Sequence, residues 1–400
     1  MIRCDLGPGE TYEVPALPGY SGPILVLMGD EGGLRGEAAL SAVTLKLPPL
    51  DRTLRRRIWR EAFRGHRVYG MDAITDQFLL PGGHIRQVAK MAAARAALEG
   101  HKSISLIDVR HASRALNRQS LDTLATRLEA EGAWKELALS SETRAKLEEM
   151  EQRCRHRESL QEQVQGRGVR ALFSGPSGTG KTMAAKILAA SLGMDIYRVD
   201  LAAVVNKYIG ETEKNLHQVL SRAEELDVIL LLDEGDALMA RRTDVRSAND
   251  RYANLETNYL LQRLEHYQGI VIITTNAGDL IDQGFRRRLD VVVTFVPPGA
   301  PERLLIWKLH LPKDHQVPAP YLADVAARCA LTGGQIKSAA THGALLAVDQ
   351  GSAFTQQILA DAILSEYRKA GALCPLTVRP GGAARQSGLD TFVQAMRDKR

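Results

Sequence analysis

Three stretches of the chain carry residue types whose spacing can do chemistry. Gly175-Pro176-Ser177-Gly178-Thr179-Gly180-Lys181-Thr182 fits the pattern G-x-x-x-x-G-K-[ST] at every fixed position. Glycines spaced in this way let backbone N–H groups turn inward around phosphate oxygens, and a helix opening at the loop adds a favourable field. In that pattern Lys181 reaches the β- and γ-phosphates of a nucleotide, and Thr182 offers its hydroxyl to Mg²⁺. The second stretch, Asp233-Glu234, closes the apolar run Val228-Ile229-Leu230-Leu231-Leu232. Asp233 suits Mg²⁺, bound directly or through water, and Glu234 suits the polarisation of an attacking water. Asp236 either assists or caps the next helix. The third is Asn276, after Ile270-Val-Ile-Ile-Thr-Thr275. An amide there can orient water and touch the γ-phosphate; a turn-forming Asn is the plainer reading. Together the three describe Mg²⁺-assisted transfer of the terminal phosphoryl group of ATP to water.

These residues need a scaffold that brings them to one edge. Val169-Arg-Ala-Leu-Phe-Ser174 reads as a buried strand entering the glycine loop. Met183, Ile187, Leu188 and Leu192 then recur at helical spacing. From 169 to 298 apolar runs alternate with amphipathic patterns, which predicts an α/β core with a parallel sheet covered on both faces. Such a sheet binds ligands at the carboxyl ends of its strands, where Asp233, Glu234 and Asn276 fall. Residues 299–370 read as helical, and 371–400, with Pro380-Gly381-Gly382, as a flexible tail. Residues 131–168 alternate in charge and predict a solvated helical connector, with Cys154 and His156 on its surface.

The front of the chain repeats the back. Leu80-Pro-Gly-Gly-His-Ile-Arg86 matches Leu331-Thr-Gly-Gly-Gln-Ile-Lys337. After it, Ile85, Val88, Ala89, Ala92 and Ala96 answer Ile336, Ala339, Ala340, Gly343 and Ala347. Upstream, Arg57-Ile58-Trp59 answers Leu305-Ile306-Trp307, Pro48-Pro49 answers Pro297-Pro298, and Ile24–Met28 answers Ile270–Thr274. The same order at a nearly constant offset predicts a duplication. Residues 1–48 then correspond to the tail of a nucleotide-binding core, and 49–130 to the helical domain that follows it. The first copy starts past the position of a phosphate loop, so the chain begins mid-module or in a truncated reading frame.

Composition limits the alternatives. Of 400 residues, 52 are basic and 47 acidic, for a formal net charge of +5, too mild to argue for nucleic acid. The four cysteines are scattered without ligand-like spacing, which favours reduced thiols and a cytoplasmic protein. No apolar run reaches membrane-spanning length. Arg52, Arg55, Arg56, Arg57 and Arg60 read as the wet face of a helix that buries Ile58 and Trp59.

Residues 169–370 resemble the AAA-type ATPases of the AAA+ superfamily. The resemblance rests on Gly175–Thr182, Leu232-Asp-Glu-Gly-Asp-Ala-Leu238, Thr275-Asn276 and Asp282-Gln-Gly-Phe-Arg-Arg-Arg-Leu-Asp290, with Gly235 in place of a more usual alanine. It implies a P-loop AAA+ core (169–298) with a helical lid (299–370), preceded by a mostly helical, degenerate AAA-like lid domain. It further implies ATP and Mg²⁺ as cofactors, a ring of copies, by analogy a hexamer, and arginine fingers reaching a neighbour's γ-phosphate. Arg287 and Arg288 fit by position, and Arg286 leaves the register open. Lys207-Tyr208-Ile209-Gly210 resembles the first pore loop, in which an aromatic and an aliphatic side chain grip an extended polypeptide. Gly334, in Gly333-Gly334-Gln335-Ile336-Lys337, falls where the lid approaches adenine and ribose. A finer similarity joins Lys207–Leu216, Asp250–Asn254 and Tyr259–Arg263 to the AAA ATPases of phage-tail-like contractile injection systems, with their components as clients. The competing readings are a nucleic-acid motor or loader on the same core, and an ATP-gated scaffold. The chain shows no helix-turn-helix, zinc or aromatic-basic pattern to favour the motor.

Overall fold

The computed structural model describes the chain apart from residues 5, 7–8, 30–31, 48–49, 123, 162–167, 202–210, 237–258, 278–282 and 377–400. It forms two compact units. The first comprises residues 1–137, 141–176 and 180–296; the second comprises 138–140, 177–179 and 297–400.

The first unit opens with short strands β1 (Ile2–Arg3), β2 (Thr11–Glu13), β3 (Val26–Leu27) and β4 (Gly33–Arg35). They pair in parallel, β1 with β3 and β2 with β4, before the single turn α1 (Glu37–Leu40). Helices α2 (Arg52–Ala62), α3 (Met71–Gln77), α4 (Gly82–Leu98) and α5 (Leu106–Leu121) follow. Their ends obey local chemistry. Asp51 caps α2 by accepting from Leu54 N at 2.6 Å, and Ser105 and Asp108 form a capping box on α5. Trp59 is fully buried and stacks on Phe63 with ring centroids 5.3 Å apart. These helices share one hydrophobic cluster with the sheet beside them, from Trp59, Ile85 and Leu121 to Leu220, Leu230 and Ile273.

Strand β5 (Thr126–Leu128) precedes α6 (Ser141–Arg155) and α7 (Arg157–Gln161). Here the structure corrects three expectations. Helix α6 is not simply solvated: Thr143, Leu147, Met150 and Cys154 are buried along one face, while the charges occupy the other. Cys154 is therefore no surface thiol, and burial pushes its pKa up to about 12, away from metal binding. Arg55 is not on a wet face. It is 1% exposed and pairs bidentately with Glu158 of α7 at 2.7 Å, because a buried guanidinium needs a carboxylate partner.

The core continues with β6 (Val169–Ser174), α8 (Lys181–Leu192), β7 (Ile196–Asp200), α9 (Glu211–Leu226), β8 (Ile229–Asp233), β9 (Ile270–Thr275), α10 (Gln283–Arg286) and β10 (Val291–Thr294). The sheet has six strands in the order β10-β6-β9-β8-β7-β5. Five run parallel, but β5 joins β7 antiparallel, so the sheet is mixed. That strand comes from the region expected to be mostly helical, and it covers an edge that β7 would otherwise leave unpaired. All six residues of β9 and the first four of β8 are buried, as central parallel strands require. Each such Ile or Leu stabilises the fold by roughly 1.5–3 kcal/mol relative to exposure.

The second unit holds helices α11 (Ala300–His310), α12 (Ala319–Arg328), α13 (Gly333–Asp349) and α14 (Gln356–Lys369) around a hydrophobic cluster of its own. Thr332 and Gln335 cap α13 reciprocally, and Thr355 caps α14.

Candidate active site

The site grows from the carboxyl ends of β6, β8 and β9. Strand β6 lies beside β9, pairing Ser174 with Thr275, and β8 lies on the other side of β9, pairing Leu232 with Ile273. The loop, the carboxylates and Asn276 thus leave adjacent strands at one edge. Gly175 leaves β6 with φ of 144°, and a Cβ there would lie 2.0 Å from the Phe295 carbonyl oxygen, so glycine alone permits the turn. Gly180 takes φ of 101° at the N-cap of α8. No side chain caps this helix start, which leaves first-turn amides for an anionic ligand.

Lys181 is buried, 8% exposed. Its Nζ donates to Gly175 O at 2.6 Å, Pro176 O at 3.0 Å and Asn276 Oδ1 at 2.9 Å, using all three of its protons. Burial pulls its ammonium below the usual lysine range, and the nearby carboxylates of Asp236 and Asp233 oppose that shift. Thr182 is half-buried in the first turn of α8. Asp233, also half-buried, accepts a hydrogen bond from the Thr274 hydroxyl, and Arg198 Nη1 stands 3.9 Å from its other oxygen. Glu234 is exposed and adopts φ of 56°, a left-handed conformation costing about 1–3 kcal/mol in a residue with a side chain. Glu234 N donates to Thr274 Oγ1 at 3.3 Å and Gly235 N to Thr274 O at 2.9 Å. Those bonds hold the strained turn, and among the described residues the Glu234 carboxylate itself takes no partner.

The donor set fits a hard cation. A threonine hydroxyl and a carboxylate are the oxygen ligands Mg²⁺ takes alongside nucleotide phosphates, so Thr182 and Asp233 would hold it. Bound there, Mg²⁺ would neutralise charge on those phosphates.

The remaining predicted residues fall in different places. Ser177, Gly178 and Thr179 group with the second unit, where Gly178 O accepts from Gly334 N at 3.0 Å. Arg287 and Arg288 follow α10, both exposed. Arg288 is engaged within the chain, with Nε on the Glu265 carboxylate and Nη1 on Gly284 O at 2.8 Å. Arg287 makes no hydrogen bond or ion pair among the described residues. Tyr208, Ile209 and Gly210 lie outside the described residues.

Two functional groups escaped the sequence reading, the hydroxyls of Thr274 and Thr275. The signal was present: two polar side chains at the end of a fully apolar strand, 2% and 1% exposed, must find partners. Those partners are Asp233 and Asp236.

Comparison with known proteins agrees with this geometry. Residues 171–296 match the family described as "ATPase family associated with various cellular activities (AAA)". An AAA family ATPase of Sinorhizobium fredii, y4kL, is 37% identical over 131 residues, covering 32% of this chain and 39% of the relative. A proteasome-activating nucleotidase of Aeropyrum pernix is 31% identical over 234 residues, covering 55% and 56%. The ATP-dependent zinc metalloprotease FtsH 3 of Sphaerobacter thermophilus is 31% identical over 206 residues, covering 49% and 41%. The chain thus spans 39% to 56% of the length of these relatives. No described helix is long and apolar enough to cross a membrane. The loop, the strand-end carboxylates and this match together make residues 171–296 similar to the AAA ATPase domain.

Proposed function

We propose that this chain hydrolyses ATP with Mg²⁺ and works in a ring of copies, a hexamer, that remodels or helps assemble protein complexes in the cytoplasm. The observation that carries this reading is Lys181 Nζ, held between the loop carbonyls and Asn276 at the edge where β8 delivers Asp233 and Glu234. Arriving phosphate oxygens would take over the lysine protons that the carbonyls of Gly175 and Pro176 now accept. Glu234, with its carboxylate unengaged, is the base for the attacking water, and Asn276 orients that water. The backbone of Gly175, Pro176, Ser177, Gly178, Thr179 and Gly180 cradles the phosphates, and Gly334 approaches the nucleoside. Arg287, exposed and unengaged, is the better placed finger for a neighbour's γ-phosphate, since Arg288 is committed to Glu265. A finger in trans is worth several powers of ten in rate.

A protein client is supported by relatives that include a proteasome-activating nucleotidase and an ATP-dependent metalloprotease. Tyr208, Ile209 and Gly210 would grip it. The finer client, a component of a contractile injection system, rests on the segments Lys207–Leu216, Asp250–Asn254 and Tyr259–Arg263. Residues 1–130, as a degenerate module, would position or regulate the ring.

Mixing tests the shared site. Arg287→Ala and Lys181→Ala proteins should each be inactive, yet recover part of the ATP turnover when combined, because each neighbour supplies what the other lacks. Absence of recovery at every mixing ratio would reject fingers in trans.

A further inference from the structure

Asp236 stands three residues after Asp233, and its carboxylate is turned to the end of the neighbouring strand. Oδ1 accepts the Thr275 hydroxyl and, at 3.2 Å, Ala277 N; Oδ2 accepts Asn276 N at 3.2 Å. Ala277 N also donates to Thr275 Oγ1 at 3.0 Å. One side chain therefore ties down three consecutive residues, the middle of which presents its carboxamide oxygen to Lys181 Nζ at 2.9 Å. The tie is demanding in its chemistry. Its donors are two amides and a hydroxyl on an almost fully buried side chain, which must find an acceptor, and the two carboxylate oxygens together serve all three. Asp236 also supplies the leading negative charge beside the buried Lys181 ammonium.

We propose that Asp236 is the positioning residue of the site: it clamps residues 275–277 and thereby sets where the Asn276 carboxamide meets Lys181 and the attacking water. The proposal rests on the ATPase reading above and deepens it. In this role Asp236 acts through Asn276 rather than on the water or the phosphate. The helix-cap alternative left open by the sequence needs none of these contacts. A displacement of the carboxamide by an ångström is enough to cost on the order of 100-fold in rate.

Asp236→Asn keeps the shape but turns an NH₂ group toward N–H donors, so part of the clamp is lost. Thr275→Val removes the hydroxyl from the other side at nearly constant volume. The full chain and both variants are compared for kcat, KM, nucleotide affinity and melting temperature, together with the double variant. The expected result is a kcat lowered by about 10- to 100-fold in each single variant, with nucleotide affinity within about threefold of the parent. The double variant should lose little more than either single one, since both break the same clamp. An unchanged kcat in Asp236→Asn would overturn the proposal. So would losses that multiply, or a fall in kcat matched by an equal fall in bound nucleotide, both of which mark a merely structural role. Hydrogen exchange of the Asn276 and Ala277 amides separates this proposal from the ATPase reading. If the parent shows no turnover, that reading fails. The clamp then stands if Asp236→Asn loses protection at those amides, and falls if protection is unchanged.

Discussion

The helices α2–α5 and α11–α14 solve the same packing problem at matching positions in different settings. Ile85, Val88, Ala89, Ala92 and Ala96 are the buried positions of α4; Ile336, Ala339, Ala340, Gly343 and Ala347 are those of α13. Trp59 and Trp307 are both fully buried. The likeness reaches single hydrogen bonds. Arg55 Nε donates to Thr75 O at 2.9 Å and Nη1 to Leu50 O at 3.3 Å; Arg303 Nε donates to Ala326 O at 2.7 Å and Nη1 to Pro298 O at 2.7 Å. Ile104 O accepts from Tyr69 N at 2.9 Å, and Phe354 O from Gln316 N at 2.8 Å. What differs is the far side of each group. The front helices are merged into the core's hydrophobic cluster, with Asp195 held by Arg114 and Asn117, each at 3.0 Å. The back helices close a cluster of their own. Similar interiors in different surroundings are what a duplication, as the sequence predicts it, would leave.

The two arginines give the larger test of that contrast. Arg55 joins its carbonyls to the partly buried Glu158, whereas among the described residues Arg303 binds only backbone carbonyls. Arg55→Met should cost about 3 kcal/mol, because it strands a carboxylate as well as two carbonyl acceptors. Arg303→Met should cost about 1–2 kcal/mol. Denaturant midpoints at constant m-value read both. Equal costs would mean that the Glu158 pair adds nothing and that the front copy is no more firmly tied.

A smaller effect lies in the helix interiors. A Cβ on Gly343 would approach the Phe354 ring to 2.8 Å, while the matching positions in front hold Ala92 and Ile104. The larger ring at one position goes with the missing methyl at the other. Gly343→Ala should therefore destabilise by about 1 kcal/mol, overpacking outweighing the gain in helix propensity. Gly343→Ala combined with Phe354→Ile should recover the loss, and a stabilising Gly343→Ala alone would break the equivalence.

Much of this was legible beforehand, for physical reasons. A phosphate loop needs glycines at set positions, and a buried parallel strand needs an unbroken apolar run, so both leave local signatures. The repeat was readable because helix interiors constrain volume at fixed spacing. What could not be read was pairing across distance. Nothing local marks Arg55 as the partner of Glu158, or Asp236 as the acceptor for residues 275–277, since each bond joins segments that meet only in the folded chain. The antiparallel β5 was hidden likewise, because three residues on a sheet edge carry no period.

The central claim is that the chain holds one hydrolytic site, built on Lys181 and fired by Glu234, and that the front copy holds none. Calorimetric titration of Glu234→Gln with Mg²⁺-ATP, alongside its steady-state turnover, tests this most directly. One nucleotide bound per chain with turnover abolished, and all binding lost when Lys181→Ala is added, is the predicted result. Two nucleotides per chain, full turnover without Glu234, or binding that survives Lys181→Ala would contradict it.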